Sequence, residues 1–472
     1  MKLTAALLSL LLLTAPLFAS SSSSLSPATT NNNDSCDISL QPAATLLLPY
    51  FEVDFRSPQA TARTMLFSVT NVSPQPQIAH VILWTDWGFP TMAFNIFLTG
   101  YDVQSINLYD IFGGGVVAPG NGTSNTTEVP TNVPFGSQPF ENDANPNFLP
   151  SAAVTCSMPQ GGVLSPSLVD DIRSIFTTGR GTSSTACGSA NVGGAHENAI
   201  GYATIDVVAT CTASMPTTDY YGNELLFDNV LIGDSIDINP SPAGNFAGAT
   251  PMVHIRAVPA GGGAGVFAPT NLPYTFYDRY TQGLPTRTFD RRQPLPSTFA
   301  ARWILGGKGA FDSSYKIWRE GGTSYPGVCA NYQNDNSGMP FFQIVRFDEH
   351  ENARAVLTPC QFCPDLEVLP VASSRPTSWS EFPPLSSSGD IAGWMYFNLN
   401  NLGRELYSVA GGRDFRSGSS SLGGRRQSQN WVIVSMFAEG RFSFDMDAVA
   451  MGNGCSISPS GTQIAPSPAV TP

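Results

Sequence analysis

Between residues 63 and 112 apolar and polar side chains alternate in short runs, and no stretch of helical period interrupts them. Met65, Phe67 and Val69 fall on one side of an extended chain and Leu66, Ser68 and Thr70 on the other. That alternation predicts a strand, and Asn71-Val-Ser-Pro supplies the turn after it. In the next run Ala79, Val81 and Leu83 alternate with Ile78, His80, Ile82 and Trp84. Both faces are therefore apolar, as in a central strand covered on two sides. Runs at 94–98 and 103–108, divided by Thr99-Gly100, extend the series to four strands. Connections this short predict antiparallel pairing, because a parallel return needs a crossover of about a dozen residues or more.

The same reading extends along the chain. A first strand, TLLLPYFEV, starts at Thr45, and later strands are expected at 200–211, 224–232 and 252–258. On 200–211 the shared face of Ala203, Ile205, Val207, Ala209 and Cys211 predicts that Cys211 is buried. A second β-rich group is expected at 299–305, 315–319, 341–347, 393–399, 431–438 and 441–451. Between the two groups lies a Gly/Pro-rich stretch, 257–273, the best boundary in the chain. From 113 to 194 the composition turns to Gly, Asn, Thr and Pro, which predicts an excursion over the surface. One helix interrupts it: Ser165 caps, Pro166 takes the first position, Leu168, Ile172, Ile175 and Phe176 form the apolar face, and Gly179 terminates.

The expected fold is all-β: two antiparallel, immunoglobulin-like β-sandwich regions with long loop excursions and one or few short helices. The first occupies 45–260 with the excursion at 113–194, and the second 296–456, joined by 261–295. Residues 1–19 have the parts of a secretory signal: a cation at Lys2, a short apolar core, then small residues about Ala19. A Ser/Thr/Asn spacer at 20–44 and a polar, Pro-rich tail at 457–472 are expected to be disordered. No later run is long and apolar enough to predict a transmembrane span, so the product is expected to be secreted, periplasmic or displayed on the cell surface.

Composition sharpens the picture of the surface. Charged residues make up 12% of the chain, about half the usual share, and only three lysines occur, Lys2, Lys308 and Lys316. The net charge of −13 becomes −14 when Lys2 leaves with the signal, a balance that excludes a nucleic-acid partner. Eight cysteines, Cys36, Cys156, Cys187, Cys211, Cys329, Cys360, Cys363 and Cys455, read as disulfide candidates in an exported chain. Of 105 pairings, a Cys36–Cys455 clasp between domain ends is favoured.

Candidate chemistry is sparse. The four histidines show no zinc-hydrolase spacing. His80 is expected in the core and His254, between inward Val253 and Ile255, in solvent. Gly233-Asp234-Ser235 resembles the block of secreted lipases and esterases but has no accompanying Asp-x-x-His, so it is read as a turn. Cys360-Gln-Phe-Cys363 has metal spacing, with Cys329 and His350 as further ligands, but is read first as disulfide cysteines. Carboxylates cluster at Asp348, Glu349 and Glu351, at Asp228, Asp234 and Asp237, and at Asp445 with Asp447. On the strand at 441–451, buried Phe442, Phe444 and Met446 would place Asp445 and Asp447 together on a solvated face, where paired acids can hold calcium or cleave glycosides. No other cofactor is expected. Trp87, opposite Trp84, is the candidate for stacking on a sugar or a partner's apolar surface. Arg404, Arg413, Arg416, Arg425 and Arg426 form a basic patch, and Asn33, Asn71, Asn121 and Asn125 are glycosylation sequons.

The strands LFSVTNVS (66–73), AHVILWTDWG (79–88) and FNIFL (94–98) resemble the bacterial immunoglobulin-like β-sandwich modules of exported proteins. The resemblance implies adhesion, spacing or ligand presentation outside the cell, and no active-site residue comes with it. The expected function is accordingly a non-enzymatic surface, adhesion or matrix role. The partner is unknown, with a surface polysaccharide or another extracellular protein as the classes that fit. A carbohydrate-active protein, lectin or hydrolase, is the alternative.

Overall fold

The computed structural model describes residues 40–116, 164, 166–181, 191–209, 220, 224–240, 246–257, 292, 295, 296, 298–308, 310–319, 341–355, 366–371, 389–401, 430–438 and 442–452. All eight cysteines lie outside them, as do the signal segment, residues 20–39 of the spacer, the tail and Asn33, Asn121 and Asn125. So do the basic patch, most of the 113–194 excursion, and all of 261–295 except 292, 295 and 296 at and just beyond its end.

The described chain is mostly β and forms four antiparallel sheets. Sheet I contains β1 (Thr45–Val53), β3 (Gln77–Thr85), β4 (Pro90–Leu98), β6 (Ala199–Val208) and β9 (Val253–Ile255), in the order β4-β3-β6-β1-β9. Sheet II contains β2 (Thr64–Asn71), β5 (Val103–Asn107), β7 (Leu231–Asn239) and β8 (Phe246–Pro251), in the order β5-β2-β7-β8. Sheet III runs β14-β11-β16-β17, from β11 (Phe311–Arg319), β14 (Leu366–Pro370), β16 (Asn430–Ala438) and β17 (Phe442–Asp447). Sheet IV runs β13-β12-β15-β10-β18, from β10 (Thr298–Ile304), β12 (Phe341–Asp348), β13 (Ala353–Ala355), β15 (Ala392–Asn401) and β18 (Val449–Gly452).

The four-strand series at 63–112 divides between two sheets rather than forming one. β3 and β4 pair as a hairpin, whereas β2 and β5 pair with each other in sheet II. The two crossovers are stapled together. Asn71 donates its side-chain amide to the carbonyls of Gln75 and Thr99, and Tyr101 N donates to Ser73 O. Gly100 sits so close to Pro74 that a Cβ would meet its carbonyl oxygen at 2.2 Å. Asn71 is wholly buried in this corner, so its sequon offers no acceptor in the folded protein.

β1, β3 and β6 are buried along their whole length, which explains their near-continuous apolar runs. One face of sheet I packs on sheet II through Leu46, Leu48, Phe51, Phe67, Val81 and Ile205. The other shares a cluster with sheets III and IV that includes Leu47, Trp84, Tyr202, Trp318, Tyr315 and Phe397. Trp318 stands edge-on to Tyr202 at 5.8 Å, and Tyr315 edge-on to Phe397 at 5.0 Å. A β-bulge between Leu48 and Phe51, at Pro49, switches the parity of β1. Leu46 and Leu48 before it, and Phe51 and Val53 after it, then face sheet II, while Tyr50 faces sheet III.

Two helices lie against sheet I. Residues 108–112 are not strand: Asn107 accepts from Tyr109 N and caps α1 (Leu108–Gly114), which ends on Gly115 at φ +70°. α2 (Pro166–Thr178) starts and stops where Pro166 and Gly179 predict, Gly179 having φ +71°. Its buried face is Val169, Ile172, Ile175 and Phe176, and Leu168 is 41% exposed. The helix is rotated toward Phe51 and Phe112, whose rings meet Phe176 at 5.6 and 5.1 Å. The strand expected at 224–232 is only a single bridge at Leu225, and β7 begins at Leu231, so Gly233-Asp234-Ser235 lies inside a strand and not in a turn. Glycine at 233 leaves room for the ends of the Met252 and Leu46 side chains, which would lie 2.6 and 2.7 Å from a Cβ there.

Candidate functional site

Charge gathers where sheets I, II and III meet. Glu52 follows the bulge of β1, Arg63 precedes β2, Asp237 is on β7, Lys316 on β11 and Asp445 on β17. All five are buried, none more than 8% exposed. Arg63 donates to Asp237 through Nε at 3.1 Å and Nη2 at 2.7 Å, and its Nη1 donates to Glu52. Glu52 also accepts from Tyr50 Oη at 2.9 Å and Asn198 Nδ2 at 2.8 Å. Lys316 Nζ donates to Asp237 Oδ2 at 2.8 Å and Asp445 Oδ2 at 2.9 Å, and lies 5.0 Å over the Tyr50 ring. Ser435 Oγ completes Asp445 by donating to Oδ1.

The electrostatics follow from burial. Burial alone would pull the Arg63 guanidinium down, but the Asp237 carboxylate, joined by Tyr50 and Asp445, holds Arg63 above the ordinary arginine value. Two residues along β17, burial pushes the Asp447 carboxyl up to about 6, against the opposing hydrogen bond from Trp431 Nε1 at 2.8 Å and with Asp445 adding in the same direction. Two cations against three carboxylates leave the junction with an excess of acid.

This geometry reverses the orientation expected for β17. Asp445 points inward and Phe444 is 39% exposed, because the inward face meets Lys316 rather than an apolar layer. The acids at 348–351 stand apart in the β12–β13 hairpin. Asp348 accepts from Asn352 Nδ2, the bond that does most to hold its carboxyl below the usual range, and from Asn352 N and His350 N, and Glu351 adopts φ +64°. Glu349 and Glu351 are exposed. Asp234 bonds Ser68 Oγ at 2.8 Å, and Ser235 Oγ donates to Thr250 O. Among the described residues no group of three or more His, Cys, Asp or Glu side chains is arranged to hold a metal ion.

Trp84 is in the core, and Trp87 packs half-buried against Phe89, Ile175 and Val192. Asp86, between them, has partners far along the chain: His196 Nε2 at 3.0 Å and Gly194 N at 2.9 Å. Both side chains are buried, and together they tie the loop after α2 to the end of β3. His80 is buried beside Asn95 Oδ1 at 2.8 Å. His254 is buried too, against expectation, between Gln41 O at 2.9 Å and the Gly233 backbone. The face of β9 opposite Val253 and Ile255 is covered by sheet II, not by water.

Glu52, Arg63 and Lys316 carry no local motif. The one legible signal was Lys316 itself, a rare lysine inside an apolar run, SYKIW. No helix among the described residues is long and apolar enough to cross a membrane. No protein-family model, curated protein or solved structure matches the chain.

Proposed function

We propose that this chain is an exported, non-enzymatic protein of the cell exterior with a surface, adhesion or matrix role, built from two sandwich-like units that act as one rigid body. The first unit stacks sheet I on sheet II, and the second stacks sheet III on sheet IV. The observation that carries the reading is the ion network of Glu52, Arg63, Asp237, Lys316 and Asp445, which spends buried charge on tying the two units together. Replacing a buried charge network by apolar side chains is often neutral or stabilising, so its value lies in register and rigidity more than in net free energy. The signal-like first 19 residues support the exported part of the reading. Fractionation of a culture expressing the tagged full chain tests it. The expected product is on cells or in the medium, and retention in the cytoplasm overturns the proposal.

A carbohydrate-active role is the second reading, favoured by Asp447, whose carboxyl is pushed up to about 6 beside Asp445. Glycan-array binding with a hydrolysis screen separates the two readings. Turnover lost in Asp447→Ala identifies a hydrolase, and binding without turnover a lectin-like protein.

A further inference from the structure

We propose that the outer face of sheet II is a self-association surface, on which two copies of the chain pack face to face about a two-fold axis. The proposal stands on the orientation of β7 and does not depend on where the protein acts.

A strand of a sandwich turns its apolar side to the core, and β2 does so, sending Met65, Phe67 and Val69 inward. β7 does the reverse. Its register sets Gly233 against Val69, Ser235 against Phe67 and Asp237 against Met65, so the polar side lies inward and Ile232, Ile236 and Ile238 point away from sheet I. A slip of one residue would turn the isoleucines into the core. That slip is barred, because Asp237 is held inward by Arg63 Nη2 at 2.7 Å and Lys316 Nζ at 2.8 Å. The apolar side of β7 is outside because the ion network needs the other side within.

Neighbouring strands widen the stripe. Cross-strand pairing sets Ile236 between Leu66 and Ala249, and sets Ile232 beside Thr70, which in turn stands beside Val103. Val103 is 56% exposed, Leu66 and the isoleucines are half-buried, and none of them belongs to the apolar clusters on either side of sheet I. Contiguous apolar surface of this kind marks an interaction site.

The chemistry of the face selects its occupant. Its one charge among the described residues is Asp234, which accepts from Ser68 Oγ at 2.8 Å. The described outward positions carry no lysine or arginine to hold a phosphate or carboxylate, and no aromatic ring to stack on a sugar. A flat apolar protein surface fits, and every copy of the chain supplies one. About an axis near Leu66 and Ile236, isoleucine lies on isoleucine, and the two Asp234 carboxylates, each two residues from the axis, stand about 13 Å apart. Salt screens charges at that distance. Four strands at about 4.8 Å over about six residues at about 3.4 Å give a footprint of about 400 Å² per copy, the size of a weak, reversible contact and short of a permanent one.

The test is sedimentation velocity of the full chain across concentration, at low and high salt. The expected result is a monomer–dimer equilibrium that tightens as salt rises, because the contact is apolar and the chain as a whole is acidic. Ile236→Lys sets two cations against each other at the axis and should weaken association about a hundredfold, with the melting midpoint of the monomer kept. Ala249→Arg, beside it on β8, should act in the same direction while leaving every isoleucine in place. Asp234→Asn should tighten association about threefold by removing the paired acids. A chain that stays monomeric up to about 1 mM overturns the proposal, as does a dimer that survives both Ile236→Lys and Ala249→Arg and so forms through another face.

Discussion

Two acidic clusters look alike in the sequence and behave oppositely in the structure. In the β12–β13 hairpin, Asp348 is satisfied by atoms no more than four residues away, and its neighbours face water. On β17, Asp445 is satisfied by Lys316, 129 residues away, and lies in the interior. A turn carboxylate gains its partners from backbone geometry alone, whereas a buried one exists only because another element delivers a cation. The first is a feature of the local chain and the second a feature of the assembled sheets.

Removing the delivered cation should have the largest effect. Lys316→Met leaves Asp237 sharing one arginine with Glu52 and strips Asp445 of its cation, at a cost of about 3–5 kcal/mol in urea unfolding. A change below about 1 kcal/mol would mean the junction admits water and erase the contrast with the hairpin.

Next in size is Asp447. Its folded value, about 6, lies above the ordinary 3.8, so the folded state binds the proton more tightly than the unfolded chain does. Stability therefore falls as pH rises from about 4 to about 6, and the full penalty, about 2–3 kcal/mol, is present at neutral pH. Asp447→Asn should stabilise the protein at pH 7 and flatten that slope in thermal melts across pH 4 to 7. A slope of the same steepness in the variant would place the titration elsewhere.

Asp86→Ala tests a second long-range tie. It leaves the Gly194 amide without its carboxylate and removes the Asp86 acceptor from His196 Nε2, for a loss of about 1–3 kcal/mol. Hydrogen exchange should rise first at 191–196. Protection unchanged there would mean that the Thr85 hydroxyl bond to Val192 O and the backbone bonds from Val192 N to Gly179 O and from His196 N to Thr177 O hold the loop without Asp86. The smallest effect belongs to the hairpin. Asp348→Ala should leave the melting midpoint within the scatter of the wild type, since its bonds are exposed and local. A drop as large as that of Asp86→Ala would show that the hairpin carries tertiary contacts.

What could be read in advance divides along the same line. The strands at 45–53, 77–85, 298–304 and 430–438, the ends of α2 and the core positions of Trp84 and His80 follow from periodicity and turn chemistry. The partition of β2–β5 between two sheets does not, because short connections permit a change of sheet as well as a hairpin. The orientation of β17 was misleading for a specific reason: an apolar face turns inward only when the facing layer is apolar, and here it presents Lys316. His254 and Asn71 mislead similarly, being polar residues whose burial depends on backbone groups brought from elsewhere.

By itself, the order of residues determined where the chain extends, where it coils and which strands are covered on both faces, since steric preference and two-residue alternation act within a few positions. It did not determine which sheet faces which, or that Glu52, Arg63, Asp237, Lys316 and Asp445 would meet. Those contacts span up to 174 residues and arise only when the layers stack, where burial makes each charge dependent on a partner the local sequence does not contain.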